Sequence, residues 1–267
     1  MKDTTIDQAN LPGMLEIAKV AAHQAGDYLL KKLGTAKVAY QKSPLDDLLD
    51  ADLEAERLIL TRLQEESPEM GVLSEESGHK GTDRHYWLVD PLDGSANFQH
   101  GSPLFAISIA LVSNQITLGG IIYLPTRDEM FTAIQGQGAF LNGTRINVSS
   151  IEALSDAIVH VGDFAKDNNV EDTHERLEDI SRLATRVRRI RMIGTAATDL
   201  AYVACGRADM LINHATPPWD IEAGKLLVVE AGGKVSTWQS HRDTTHSIYS
   251  NGIIHQMAES LLIPPAS

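Results

Sequence analysis

Apolar residues recur at helical spacing from Met14 to Leu33, at Leu15, Ala18, Ala22, Ala25, Leu29 and Leu33, and Gly34 is placed to stop the helix. A second helix is predicted over Asp50 to Leu63, with Leu53, Leu58 and Leu60 toward a core and acids crowding its start. Lys37 to Tyr40, between them, reads as a short strand. The period then changes. Met70 to Leu73 and His85 to Val89 are short apolar runs bounded by Gly and charged residues, hence strands. Phe105 to Val112, Ile116 to Leu124, Glu129 to Ile134 and Ala139 to Leu141 read as hairpin-connected strands, with turns at Ser113-Asn114, Pro125 to Asp128 and Gln135 to Gly138. Asn142-Gly143 is the strongest short hairpin signal in the chain.

Beyond it, strands and helices alternate. Strands are predicted at Ala157 to Val161, Val187 to Met192, Asp209 to Ile212, Lys234 to Ser236 and Ser247 to Tyr249. Helices are predicted at Val170 to Ala184, Thr195 to Cys205, Asp220 to Ala231 and Ile253 to Leu262. Blocks of helix and of antiparallel strand point to an α+β protein of packed layers. The 267 residues stand near the upper limit for one hydrophobic core. We read them as two halves of one compact unit. Residues 1–145 carry the helix pair and a mainly antiparallel sheet; residues 146–267 form an α/β half. Met1 to Pro12 and Pro264 to Ser267 read as loose tails.

The formal net charge of −13 argues against a nucleic-acid-binding surface, which needs a basic patch. It also sets a problem for any anionic substrate, which such a protein repels unless cations intervene locally. Cys205 is the only cysteine, so no intrachain disulfide forms, and its apolar neighbourhood suits a buried small residue. The start of the chain has no apolar signal segment, and no apolar run approaches the length of a bilayer span. A cytoplasmic protein with no membrane partner is the expectation.

Four clusters of acids carry the chemistry. In Trp87 to Phe98, an apolar strand ends on Asp90, Pro91 blocks its continuation, and Asp93-Gly94 turns the chain. Both aspartates then point at one spot, unless each only caps backbone groups of the turn. Ser95 is placed to cap the next element, and the turn exposes backbone N–H groups suited to an oxyanion. Ser74-Glu75-Glu76-Ser77 comes after another strand. Asp220, in Pro217-Pro218-Trp219-Asp220, opens a helix as a ligand or as an N-cap. Asp46, Asp47, Asp50 and Asp52 stand at a further helix start, where the helix dipole explains some of them. Oxygen ligands without His or Cys suit Mg²⁺, Mn²⁺ or Ca²⁺, not zinc. Metals held there would attract phosphate and resolve the charge conflict.

At these residues the chain resembles the inositol monophosphatase family. Ser74 to Ser77 resembles its Gly-Glu-Glu-Ser element, and Trp87 to Phe98 its Asp-Pro-(Ile/Leu)-Asp-Gly-Thr-x-Asn-Phe signature. Gly194-Thr195-Ala196-Ala197 resembles its Gly-(Ser/Thr)-Ala-Ala element. Trp219-Asp220 to Gly233 resembles its Trp-Asp-x-Ala-Ala-Gly…Glu-Ala-Gly-Gly segment. The resemblance implies a layered α/β/α/β/α sandwich of the sugar-phosphatase type, a homodimer, and hydrolysis of a small phosphate monoester. It implies two or three Mg²⁺ ions, with Mn²⁺ an alternative and Ca²⁺ and Li⁺ inhibitory.

By position, Glu75, Asp90 and the carbonyl of Leu92 would hold the first metal, and Asp90, Asp93 and Asp220 the second, with a third near Glu75. The nucleophile would be a water activated by metal, oriented and deprotonated by Ser95 and Asp52. Glu75 belongs to the same catalytic set. Gly94 and Ser95 would grip the phosphate, and Asp93, Ala196, Asn213 and Asp220 would contact the substrate. Ser95 stands where threonine is commoner, Leu49 where the family often has threonine, and Asn213 where inositol-preferring members have glutamate. Fructose bisphosphate, nucleotide 3′-phosphate or histidinol phosphate are alternative substrates, and a catalytically silent binding protein is a third reading. His100 reads as structural or at the cleft edge, and His160 and His214 stand as residues that could approach substrate without an assigned role. The basic run Arg186, Arg188, Arg189 and Arg191 reads as a structural or subunit-contact feature, with steering of phosphate the alternative.

Overall fold

The structure, a computed structural model, describes residues 6–43, 46–164, 170–240 and 244–263. The first turn comes earlier than the periodicity implied. Asp7 caps a short 3₁₀ turn at Gln8–Asn10, and helix α1 spans Leu11–Lys32 with Leu11 buried. Residues 8–12, expected in a loose tail, are thus part of turn and helix, and residues 1–5 and 264–267 lie outside the described residues. A hairpin of β1 (Val38–Ser43) and β2 (Asp46–Leu49) leads into α2 (Asp50–Glu66). The core face of α2 is Ala51, Ala55, Ile59 and Leu63; Leu53, expected inside, faces solvent.

One sheet of eight strands comes next: β3 (Gly71–Ser74), β4 (Gly78–Lys80), β5 (His85–Asp93), β6 (Ala106–Ser113), β7 (Ile116–Leu124), β8 (Glu129–Ile134), β9 (Gly138–Leu141) and β10 (Thr144–Ile146), with the short helix α3 (Ser95–Gln99) after β5. Its order is β10-β9-β8-β7-β6-β5-β3-β4, antiparallel except for the parallel pair β3–β5. Asn142 and Gly143, at φ 47° and 78°, make the expected tight turn, and its return strand β10 is added to the sheet. The turn after β6 falls one residue later than predicted, on Asn114 and Gln115, both left-handed.

The second sheet orders β12 (Arg189–Arg191), β11 (Ile158–Val161), β13 (Met210–His214), β15 (Thr245–Ser250) and β14 (Lys234–Gln239). Four helices belong to this part: α4 (Val170–Ala184), α5 (Ala196–Ala204), α6 (Pro218–Glu230) and α7 (His255–Leu262).

The layers arise from which strand faces are apolar. Trp87, Val89, Ile107, Ile109, Ile121 and Tyr123 pack on α1 and α2, while Leu88, Ala110, Ile122 and Phe131 pack on α5 and α6. Period-two alternation thus serves two cores, and β6 is buried along its whole length and reads as one apolar run. Leu211 and Tyr249 close the middle layer from the second sheet. Val159, Met210, Ile212 and Ile248 face outward onto Leu183, Ala258 and Leu262 of α4 and α7. The result is a five-layer α/β/α/β/α sandwich, as expected. Close approach of α6 to β7 needs Gly120, since a Cβ there would lie 2.9 Å from Ala223 Cα. Among the described residues no helix is long and apolar enough to cross a membrane.

Candidate active site

Parallel pairing of β3 with β5 sets Ser74 beside Val89, so Glu75 and Asp90 stand together at the same end of the two strands. The strand does not stop at Asp90. It continues to Asp93 through a register irregularity that spans Pro91 and Leu92, because a bulge tolerates the missing proline N–H. The irregularity turns Asp93 back toward Asp90. Gly94 then sits at φ 95°, and a Cβ there would lie 3.1 Å from Leu104 O and 3.2 Å from Gly194 O. Only glycine fits that corner, and α3 starts from it.

A cavity of 620 Å³ opens at this edge, among the ends of β3, β5, β11 and β13 and the starts of α3, α5 and α6; Glu75, Asp90, Leu92, Asp93, Gly94, Ser95, Ala196, Asn213 and Asp220 all line it. Asp90, Asp93 and Asp220 each offer a carboxylate oxygen within 4.8 Å of the others. Asp220 occupies the third position of α6 and does not cap it; Pro217 precedes the helix without a side-chain bond, so the N-cap reading is set aside. Burial pushes Asp90 well above the usual carboxylate range, and the charges of Glu75, Asp220 and Asp93 push it further. An oxygen-only set with this concentration of carboxylates fits a hard divalent cation. A cation already stands beside it: Lys42 Nζ lies 2.9 Å from Glu75 and 2.5 Å from Glu76. Burial alone would lower Lys42, but the charge of Glu75 and the hydrogen bonds of both glutamates outweigh it and hold the ammonium above its ordinary range.

Asp52 does not line the cavity. It sits directly behind Ser95, whose Oγ donates to Asp52 Oδ1 at 3.0 Å and lies 3.0 Å from the carbonyl of Leu92. Its other oxygen accepts the Leu49 N–H at 2.7 Å, which fixes the carboxylate to the start of α2. Leu49 is buried in the first core, so its backbone serves Asp52 while its side chain packs. Burial pushes Asp52 up to about 7, against the two hydrogen bonds that pull it down. Asp50, by contrast, accepts the backbone N–H of Lys37 and is a structural group. The Asp46 side chain, with Pro44 and Leu45, lies outside the described part of the chain.

Several residues missed in the sequence complete the site. Asp93 Oδ2 accepts Thr195 Oγ1 at 2.5 Å and the backbone N–H of Ala197 at 2.7 Å, so the start of α5 orients it. The N-cap pattern marked Thr195 as a helix start, with no sign that its hydroxyl also reaches across the middle layer. Asn97 Nδ2 donates to Ile193 O at 2.7 Å and joins α3 to the same loop. Ser108 Oγ donates to Trp219 O and fixes the entry of α6. On the far wall stand Asp163, Asp172, Arg176, Asp199 and Thr216. His160 is buried against Asp199, which burial pushes up to about 6. His100 is exposed, Arg189 and Arg191 lie on an edge strand, and Cys205 is half-buried with its thiol pushed up by burial.

A carboxylate cradle at the strand ends of a five-layer sandwich, faced by a polar cavity, marks the class as phosphoric monoester hydrolase. The chain matches the inositol monophosphatase family over residues 10–263, and it belongs to that family. It is 40% identical over 217 residues to the Nus factor SuhB of Xylella fastidiosa, covering 80% of this chain and 78% of that one. It is 40% identical over 226 residues to an inositol-1-monophosphatase of Rhizobium meliloti, covering 82% and 84%. The solved structure of extragenic suppressor protein suhB from Bartonella henselae superposes with a TM-score of 0.87 at 37% identity, covering 95% of this chain and all of that one.

Proposed function

We propose that the chain hydrolyses a small, hydroxyl-rich phosphate monoester of the inositol or polyol phosphate type with Mg²⁺ as cofactor. The observation that carries this is the convergence of Asp90, Asp93 and Asp220 within 4.8 Å, at a cavity that Glu75 also lines. Glu75, Asp90 and the Leu92 carbonyl, with Asp93 and Asp220, would hold the ions. Bound there, divalent ions would supply positive charge to the phosphoryl oxygens and acidify a nearby water. Ser95 and Asp52 handle the proton: as a water proton passes to Ser95 Oγ, the hydroxyl proton moves to Asp52 Oδ1, so no covalent phosphoenzyme forms. The N–H groups of Gly94 and Ser95 hold phosphate oxygens.

The far wall supports a single phosphate on the substrate. Arg176 is the one arginine lining the cavity among the described residues, and Asp172 already neutralises it at 2.8 Å. Asp163 and Asp199 are further carboxylates on that wall, Asp199 backed by His160. A second phosphate would meet like charge, whereas hydroxyls would meet Ala196 and the amide of Asn213, whose buried Nδ2 makes no hydrogen bond. A homodimer, inhibition by Li⁺ and a cytoplasmic location go with this reading.

The test is phosphate release from inositol, sugar, polyol, nucleotide and histidinol phosphates, with Mg²⁺ and with or without Li⁺. Release from polyol monophosphates should exceed release from fructose 1,6-bisphosphate. Asp90→Asn and Asp220→Asn should abolish it while the far-UV circular dichroism stays unchanged. Undiminished release by either variant sinks the proposal.

A further inference from the structure

Helix α4 turns an unusual face to the second sheet. Asp172, Glu175, Arg176 and Asp179, spaced three and four apart on one side, are all buried. Opposite them stand His214 of β13 and His246 of β15, direct cross-strand partners whose ring centroids are 4.2 Å apart. These groups lie outside the oxygen-only cradle, and both imidazoles are at least nine-tenths buried.

Asp179 pairs with His214 and lies close to His246, so two imidazoles and one carboxylate converge in a space closed to solvent. That mixed donor set is the kind a divalent cation of the zinc class takes.

The geometry accepts one. Asp179, His214 and His246 each offer one ligand atom, all within 4.8 Å of one another. Asp179 Oδ2 lies 2.9 Å from His214 Nε2 and 3.5 Å from His246 Nδ1. Those separations bracket the roughly 3.3 Å edge of a tetrahedron built on zinc bonds of about 2.0 Å. His246 Nδ1 makes no hydrogen bond. Its Nε2 is 3.1 Å from Glu175 Oε2, the carboxylate–imidazole pairing that aims a histidine at a metal.

We infer that Asp179, His214 and His246 form a second metal site, of mixed imidazole and carboxylate donors, that takes one zinc-class divalent ion and ties α4 to the second sheet. Imidazole donors select zinc over the Mg²⁺ suited to the oxygen cradle. The ion is a strut under the cavity wall, since Asp172 and Arg176 of the same helix line the cavity and Arg176 donates to the carbonyls of Asp163 and His214.

The test uses the full chain stripped with chelator and held in saturating Mg²⁺, titrated with Co²⁺ as a visible probe and with Zn²⁺. One equivalent of Co²⁺ should give the intense visible absorption of four-coordinate cobalt, Zn²⁺ should abolish it, and Zn²⁺ should raise Tm by several degrees. His246→Gln and His214→Gln should lose the band, and Asp90→Asn should keep it. Glu175→Gln, outside the ligand set, should weaken Zn²⁺ binding by about ten- to a hundredfold. Should the histidine variants not fold, the unmodified chain and Glu175→Gln decide the matter. Absence of a four-coordinate band in the unmodified chain overturns the site, as does a band that survives in folded His246→Gln. A pair of histidines that merely share a proton gives the first of those results.

Discussion

Replacing Asp52 by Asn separates catalysis from stability. Asp52 is 1% exposed and accepts two hydrogen bonds, from the Leu49 N–H at 2.7 Å and from Ser95 Oγ at 3.0 Å. In the metal-free protein, burial moves it from 3.8 to about 7. That displacement corresponds to on the order of 4 kcal/mol against the ionised form, at about 1.4 kcal/mol per tenfold change. Because the folded pKa is raised above the unfolded one, the group is neutral when folded at low pH and stability is highest there. Stability is lost as pH rises through about 4 to 7.

Asn removes that cost but keeps one carbonyl acceptor for two donors, so it loses about 1–2 kcal/mol of hydrogen bonding. In chelator, Asp52→Asn should therefore match the parent to within about 1 kcal/mol at pH 5, where the parent has itself lost roughly 1.7 kcal/mol, and should unfold at higher urea at pH 8.5, by roughly 2–3 kcal/mol. Phosphate release with Mg²⁺ should meanwhile fall by about 10²–10⁴ at every pH, the usual worth of a proton acceptor. Urea melts from pH 5 to 9, beside turnover measured at the same pH values, check both parts. Turnover within threefold of the parent, or an equal loss of stability at both pH values, refutes the reasoning.

The same geometry gives two further expected outcomes. Thr195→Val removes the N-cap of α5 and the hydrogen bond to Asp93 Oδ2 together. It should cost about 2–4 kcal/mol in a urea melt and raise the Mg²⁺ concentration for half-maximal turnover, whereas Thr195→Ser should restore both; unchanged Mg²⁺ dependence in the valine variant would remove Thr195 from the site. Lys42→Met removes the ammonium that bridges Glu75 and Glu76. Since that ammonium competes with divalent ions for the same carboxylates, the variant should reach half-maximal turnover at about three- to tenfold lower Mg²⁺, read from a metal titration; a higher requirement would show that Lys42 assists the ions and does not compete with them.

Much of the site was legible in the chain because its parts are local. Asp90 to Ser95 is a strand end, a bulge and a left-handed glycine in succession, so the chemistry and the turn that presents it share six residues. The four acid clusters, the order of nearly all the long elements and the five-layer arrangement could be read from spacing, turn residues and the family resemblance. What failed locally did so for local reasons. Leu53 was placed inside on hydrophobicity, but the small residues Ala51 and Ala55 let α2 pack closely and left Leu53 in solvent.

Only the tertiary structure decided which groups meet across layers. Thr195 reaches Asp93, Lys42 reaches Glu75, and α4 sets its acids against His214 and His246, each between residues dozens of positions apart. A polar residue on a helix face reads as solvated unless the layer it packs on is known, so the buried charges of α4 left no mark in its periodicity. Short-range pattern selects the elements because it records which side of each is apolar. Which polar side chains end up sharing a dry space depends on how those elements are stacked, and the stacking is a property of the whole chain.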